Sequence, residues 1–372
     1  MKKKMAFVDL TNFKDWPMGG MIQYELSILP YLCDHYEVDI WGVSVNEKIN
    51  KNLIINNRKY PINIWAKCNT GFRILPNYWK GLALIGKTKK FDKYDVIYAH
   101  TGSCLIPFFN KKNIKKVYHQ HGIMYQNDTS LKTRLEKPFM KLAQKKSDLV
   151  FVVSGKASTE SFYNRNHFTN KFIAIDSPVD FSKNNELSYR MKKKKKYPQN
   201  YIYTGRLTKF KNVSFLVDIF KKYLEINDTA KLTIVGDGEE FKNIQNKIIK
   251  YNLEKSIKLL GKVPHDQIKN YLIENDVFLM PSLGEGVSVS VAEANTYGLP
   301  VVAQDVIGLN EQIFNNVNGI LCKRNDVSSF VSAIEKLNTN WQKIVENTYK
   351  YSNKYDSKII AQRIIDNIDQ II

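Results

Sequence analysis

Pro281-Ser-Leu-Gly-Glu-Gly-Val-Ser-Val-Ser-Val-Ala-Glu-Ala-Asn-Thr-Tyr-Gly-Leu-Pro-Val-Val-Ala303 decides the fold of this chain. The apolar run Val277 to Met280 leads into it, and Gly298-Leu-Pro300 leads out to another apolar run. Strand, glycine turn, helix and strand in that order make one unit of a parallel sheet. Glu285 and Glu293 stand eight positions apart, a little over two helical turns. With one at the helix mouth and one inside the helix, both are expected on roughly one face. The first helical turn offers unpaired N–H groups and the positive end of the dipole, and the amides of Gly286 and Val287 lead into it. Amides for a phosphate beside carboxylates for hydroxyls suit a nucleotide-sugar. Glutamates at this spacing also occur on ordinary solvated helices; the flanking Pro-Ser, Glu-Gly, Glu-Ala and Gly-Leu-Pro separate the two readings.

Upstream, Tyr201-Ile-Tyr-Thr-Gly-Arg-Leu-Thr-Lys-Phe-Lys-Asn212 reads as a strand ending at Gly205, with Arg206 and Lys211 in the loop before a helix at about 213–224. Ligands of open α/β sheets bind beyond the carboxyl ends of strands, where these cations fall. A forked guanidinium and a compact ammonium are a natural pair for a diphosphate. Together the two segments resemble the E-x7-E signature and the Gly-Arg-Leu-x(4)-Lys-Asn element of retaining GT-B glycosyltransferases, most closely family 4. The resemblance is strong over 200–320 and loose before that.

It implies two Rossmann-like, doubly wound parallel-sheet domains facing a central cleft. It implies that Arg206 and Lys211 hold the donor diphosphate, Glu293 the ribose and Glu285 the transferred sugar. Gly205, Gly286 and Val287 are implied beside the phosphates and sugar. Lys231 to Glu239 adds a further strand and a Gly236-Asp-Gly238 turn, and Val263, after Ile257-Lys-Leu-Leu-Gly-Lys, falls where relatives pass the base. Ser147 to Ser154 resembles another family strand. Ile175-Asp-Ser-Pro-Val-Asp180 departs from the usual Pro-Asn-Gly-Val-Asp.

In the amino-terminal half, a strand from Met5 to Leu10 precedes Gly19-Gly20 and a helix through Leu32. A glycine pair entering a helix permits close backbone approach, and the resemblance places Gly20 near the donor phosphates. Two further strands end at histidine, Asp95-Val-Ile-Tyr-Ala-His100 and Lys116-Val-Tyr-His-Gln-His-Gly122. His121 best matches the family histidine that faces the transferred sugar. His119 is expected on the opposite side of its strand. No Asp or Cys ligand set accompanies the histidines, so no metal and no other cofactor is expected.

At 372 residues the chain suits two α/β domains. The expected division is 1–184 and 198–354, because 181–199 loses apolar periodicity and carries five consecutive lysines, Lys192 to Lys196. An amphipathic helix over 355–372 is expected to pack back on the first domain. Residues 1–200 hold 35 Lys+Arg against 16 Asp+Glu, whereas 201–372 hold 21 against 20. Such a basic half is attracted to anionic lipid. Phe72 to Lys90 and Leu131 to Lys146 are candidate interfacial segments, the latter with Leu131, Leu135, Phe139 and Leu142 on one stripe. An ordinary core-facing stripe is the equal alternative for either. No nucleic-acid motif is present.

The start of the chain does not read as a secretory signal, and no run approaches a membrane span. The four cysteines are scattered. A cytoplasmic protein, peripheral on the inner face of a bacterial plasma membrane, is expected. The expected reaction moves a sugar from a UDP- or GDP-sugar to a saccharide or lipid-linked saccharide, with no dedicated protein base. A GT-B epimerase, a phosphorylase and a non-catalytic sugar-nucleotide-binding protein remain alternatives.

Overall fold

The computed structural model describes residues 2–10, 20–44, 52–55, 57–67, 77–121, 131–179, 181 and 183–372. The chain forms two compact units, one of residues 1–178 with 357–372 and one of residues 179–356.

The first unit holds an eight-stranded sheet. Its strands are β1 (Lys4–Val8), β2 (Glu37–Ser44), β3 (Asn52–Ile55), β4 (Arg58–Lys67), β5 (Val96–Ala99), β6 (Lys115–Gln120), β7 (Leu149–Val153) and β8 (Lys171–Ile175). Their order is β3-β4-β2-β1-β5-β6-β7-β8, parallel throughout except the β3–β4 hairpin. The interior strands β5 and β7 are buried end to end, as strands covered on both faces must be. Strand order reverses between β1 and β5, so the loops after them diverge there.

The second unit repeats the plan with β9 (Asn200–Thr204), β10 (Lys231–Val235), β11 (Ile257–Leu259), β12 (Val277–Met280), β13 (Val301–Gln304) and β14 (Gly319–Cys322). All pairings are parallel in the order β11-β10-β9-β12-β13-β14. Here the reversal falls between β9 and β12, whose following loops carry the two diagnostic motifs.

The carboxy-terminal helix, Ser357–Asp369, belongs to the first unit and packs on the helix Gly20–His35. Ile360, Ile364 and Ile368 are buried. Asp369 accepts a hydrogen bond from the Tyr36 hydroxyl at 2.6 Å and stands 2.9 Å from His35 Nε2.

The expected division around 181–199 is corrected. Lys183–Lys193 is a helix of the second unit, packed against the helices His265–Glu274 and Trp341–Ser352. Its buried face is polar, which is why apolar periodicity missed it. Asn185 donates to Thr296 O and Ser188 to Tyr297 O. Lys192, fully buried, donates to Ser188 Oγ at 2.7 Å and to the carbonyls of Leu272 and Ile273 at 3.2 Å. An amine on the last carbonyls of a helix satisfies groups that would otherwise be orphaned. The division at 178 also moves charge: the first unit holds 30 Lys+Arg against 16 Asp+Glu, the second 26 against 20. Lys192→Ala takes the donor from the carbonyls of Leu272 and Ile273 and is expected to cost about 1–3 kcal/mol, read as a lower urea midpoint; an unchanged midpoint contradicts the contact.

Candidate functional site

Loops at the β9/β12 reversal assemble a charged site in the second unit. Gly205 N donates to Val235 O at 3.0 Å and Gly236 N to Gly261 O at 2.9 Å, lacing together the ends of β9, β10 and β11. Leu207 N donates to Asp237 O, and Glu240 N to Leu207 O. A side chain on Gly236 would meet the Gly205 carbonyl, so glycine is required at this crossing. Arg206 is exposed, with its carbonyl held by the Tyr203 hydroxyl at 3.1 Å. Buried Tyr203 also lies within electrostatic reach of Glu285 and of the Arg206 guanidinium, and burial holds its phenol far above the usual range.

Lys211 ends a short 3₁₀ turn, Lys209–Lys211, at whose start Thr208 Oγ1 accepts from the Lys211 amide. The next residue, Asn212, takes left-handed dihedrals and opens the helix Val213–Tyr223. Lys211 Nζ meets Glu285 Oε1 at 2.5 Å, with the lysine side chain 19% and the glutamate 9% exposed. The two motifs therefore touch: Lys211 follows β9, and Glu285 follows β12.

Glu285 is not in the helix. That helix runs Val289–Thr296 with Ser288 before it, so the helical-period argument for Glu285 and Glu293 is corrected. The loop places Glu285 instead. Glu285 N donates to Ile307 O at 3.0 Å, and Leu283 N to Phe210 O at 3.0 Å. Gly308, at φ +85°, passes against the carbonyls of Glu285 and Gly286, where any Cβ would collide. Gln312 clamps Ser288 on both sides, accepting from its amide and donating to its carbonyl at 2.9 Å. Gly286 and Val287 are half-buried in this approach loop. Glu293, inside the helix, pairs with His265 Nε2 at 2.8 Å, and that hydrogen bond raises the His265 imidazole above its ordinary value. Val263 is half-buried against the core two residues beyond Gly261.

His265, Tyr203, Gly308 and Gln312 escaped the sequence reading. Each acts across 3 to 28 positions of chain or through backbone carbonyls, and no local pattern records that.

In the first unit, Gly20 opens its helix, while residues 11–19, including Gly19, lie outside the described residues. His100, His119 and His121 converge. Ring centroids are 4.5 Å apart for His100–His119, 5.0 Å for His100–His121 and 5.2 Å for His119–His121. The expectation that His119 points away is corrected, because strand positions two apart share a face. His100 Nδ1 and His121 Nε2 share a hydrogen bond of 2.7 Å, and His119 Nδ1 shares one of 2.5 Å with the Tyr98 hydroxyl. Tyr24 meets all three rings edge-on. Burial pulls His121 down to about 3 and the other two well below the usual imidazole value, with mutual repulsion adding to it. The three rings are neutral near pH 7. Nε2 of His100 and of His119 is buried with no hydrogen-bond partner among the described residues, at a cost of about 1–3 kcal/mol each.

Residues 185–355, the second unit almost entire, match the family model described as Glycosyl transferases group 1. The chain is 26% identical over 272 residues to the Escherichia coli UDP-Gal:alpha-D-GlcNAc-diphosphoundecaprenol alpha-1,3-galactosyltransferase, covering 69% of this chain and 70% of that one. Its fold superposes on the sucrose-phosphate synthase of Thermosynechococcus elongatus with a TM-score of 0.77 at 16% identity, over 100% and 99% of the two chains. It also superposes on Anabaena HepE, solved in complex with UDP, with a TM-score of 0.73 at 20% identity, over 99% and 100%. The fold is GT-B. Both units have the parallel-sheet α/β build of GT-B proteins, and fold and sequence together support a GT-B glycosyltransferase. Gly308→Ala forces Cβ against two carbonyls in left-handed backbone, and is expected to cost about 1–3 kcal/mol. Denaturant unfolding checks this; a variant as stable as wild type contradicts the tight crossing at Glu285.

Proposed function

We propose that the chain is a retaining glycosyltransferase of family 4 that moves a sugar from a nucleotide-diphosphate sugar to a saccharide or lipid-linked saccharide in bacterial envelope polysaccharide synthesis. The observation that carries this reading is the Lys211–Glu285 pair at the strand-order reversal, with Arg206 exposed on the same loop as Lys211. A diphosphate entering there exchanges part of the Lys211–Glu285 attraction for its own contact with the ammonium. Arg206 adds a forked donor. Charge grows on the leaving diphosphate as the glycosidic bond breaks, and the two cations stabilise it without a metal at the phosphates. Glu285, loosened from Lys211, accepts from hydroxyls of the transferred sugar and favours an oxocarbenium-like transition state.

Glu293 takes the ribose hydroxyls, and His265 beside it holds the carboxylate in place. Gly205 and the amides of Gly286 and Val287 line the phosphates and sugar, and the backbone near Val263 passes the base. From the first unit the resemblance adds His121 toward the sugar and Gly20 toward the phosphates. The similarity to a galactosyltransferase named for a diphosphoundecaprenol substrate, and to HepE with UDP, supports a UDP-sugar donor and a polyprenyl-diphosphate acceptor.

An anionic membrane surface is the proposed place of action. Among the described residues no helix is long and apolar enough to cross a membrane. The helix Leu131–Lys146, however, turns apolar groups outward: Leu135 and Leu142 are each 38% exposed, beside exposed Pro138, Lys141 and Lys145, while Ala143 and Gln144 face inward. Leucines ringed by lysines on an open face fit a lipid headgroup layer. The other candidate segment falls partly outside the described residues, at 72–76.

Transfer from a panel of nucleotide-sugars to polyprenyl-diphosphate saccharides tests the chemistry. Charge-assisted hydrogen bonds worth about 1.5–3 kcal/mol each predict that Arg206→Ala and Lys211→Ala each lose at least about tenfold in kcat/KM. Near-wild-type turnover in both refutes the diphosphate role. Sedimentation with vesicles tests the surface: Leu135→Ser with Leu142→Ser is expected to reduce binding to phosphatidylglycerol vesicles, and equal binding contradicts it.

A further inference from the structure

The histidines of the first unit support an inference independent of the transfer reading. His100 directly follows β5, His119 lies in β6 and His121 directly follows β6, so two adjacent parallel strands deliver all three to one end of the sheet. Each can offer a ring nitrogen such that the three atoms lie within 4.8 Å of one another. The chain's other histidines are His35, His167 and His265; His35 is paired with Asp369 and His265 with Glu293.

Two observations ask for an occupant. Native proteins rarely enclose a polar atom without a partner, yet His100 Nε2 and His119 Nε2 are both in that state among the described residues. The outer supports that orient metal-bound imidazoles are also in place. Tyr98 holds His119 by its other nitrogen at 2.5 Å, and the fully buried carboxylate of Glu25 stands 3.7 Å from His100 Nδ1. A plain aromatic core accounts for the Tyr24, Phe7 and Phe151 contacts around the rings but not for the two stranded nitrogens.

We propose that His100, His119 and His121 bind one divalent transition-metal ion of the zinc class. Three imidazoles select zinc, cobalt or nickel over magnesium and calcium, which prefer oxygen. Each neutral ring gives one lone pair and keeps its N–H, so no proton is released. Metal–nitrogen distances of about 2.0–2.1 Å place tetrahedral ligand atoms about 3.4 Å apart. The rings must therefore close in, giving up the His100–His121 hydrogen bond. His121, half-buried just beyond the end of β6, is the ring with most room to turn. A fourth position is left for water.

The full-length chain, free of any histidine tag and stripped with a chelator, is titrated with zinc against a chromophoric competitor. The zinc-loaded protein is then measured by X-ray absorption. One zinc per chain is expected, with a Kd of about 1 µM or tighter, and a coordination shell dominated by imidazole nitrogen. His100→Gln and His119→Gln should each weaken binding at least tenfold. No binding at this affinity, a shell dominated by oxygen or sulfur, or variants that bind as wild type does overturns the site. Absorption on the unaltered protein decides the matter even if a variant fails to fold. Either result leaves the transfer reading to be judged by its own assay.

Discussion

A buried carboxylate must have a partner, and Glu285 has Lys211. That requirement ties together the loops after β9 and β12, which are neighbouring strands in the sheet but 74 residues apart at the point of contact. Parallel strands on either side of an order reversal send their loops in diverging directions and leave a recess between them. Filling the recess with one ammonium and one carboxylate keeps both charges satisfied while nothing is bound. In the proposed reaction a phosphate competes for the ammonium and frees the carboxylate for hydroxyls. Removing Lys211 alone leaves the Glu285 carboxylate buried and uncompensated, which is far costlier than the pair itself is stabilising.

The supports of this pair explain why the surrounding backbone is so constrained. Gly308 lies in left-handed backbone against Glu285, Gly236 crosses under Gly205, and Gln312 grips Ser288 from both sides. These contacts fix loops at the ends of strands, where loops are otherwise free to vary. The first unit follows the same plan at its own reversal, with His100 just beyond β5, next to β1. There the rings are neutral and packed on tyrosines, with the buried Glu25 carboxylate 3.7 Å from His100 Nδ1.

The parallel sheets were legible because their strands are short apolar runs separated by helices and glycine turns. The residue types of the site were legible because they stand at fixed positions after strands. What failed did so for physical reasons. The helix Lys183–Lys193 buries Asn185, Ser188 and Lys192, so hydrophobic periodicity had nothing to detect. Glu285 is positioned by the backbone of Ile307 and Gly308, and carbonyl contacts leave no trace in side-chain spacing. The stripe of Leu135 and Leu142 was visible, but a stripe does not state which way it faces. The convergence of His119 with His121 follows from the alternation of strand residues, since positions two apart share a face.

The proposed transfer requires a diphosphate held by protein cations in the second unit. Calorimetric titration of the unaltered chain in the presence of chelator, with UDP and GDP and their mono- and non-phosphorylated counterparts, tests this most directly. For whichever base binds, the diphosphate should bind at least about tenfold more tightly than the monophosphate, the worth of one charge-assisted contact. Equal affinity for the two, or no binding by either diphosphate, contradicts it.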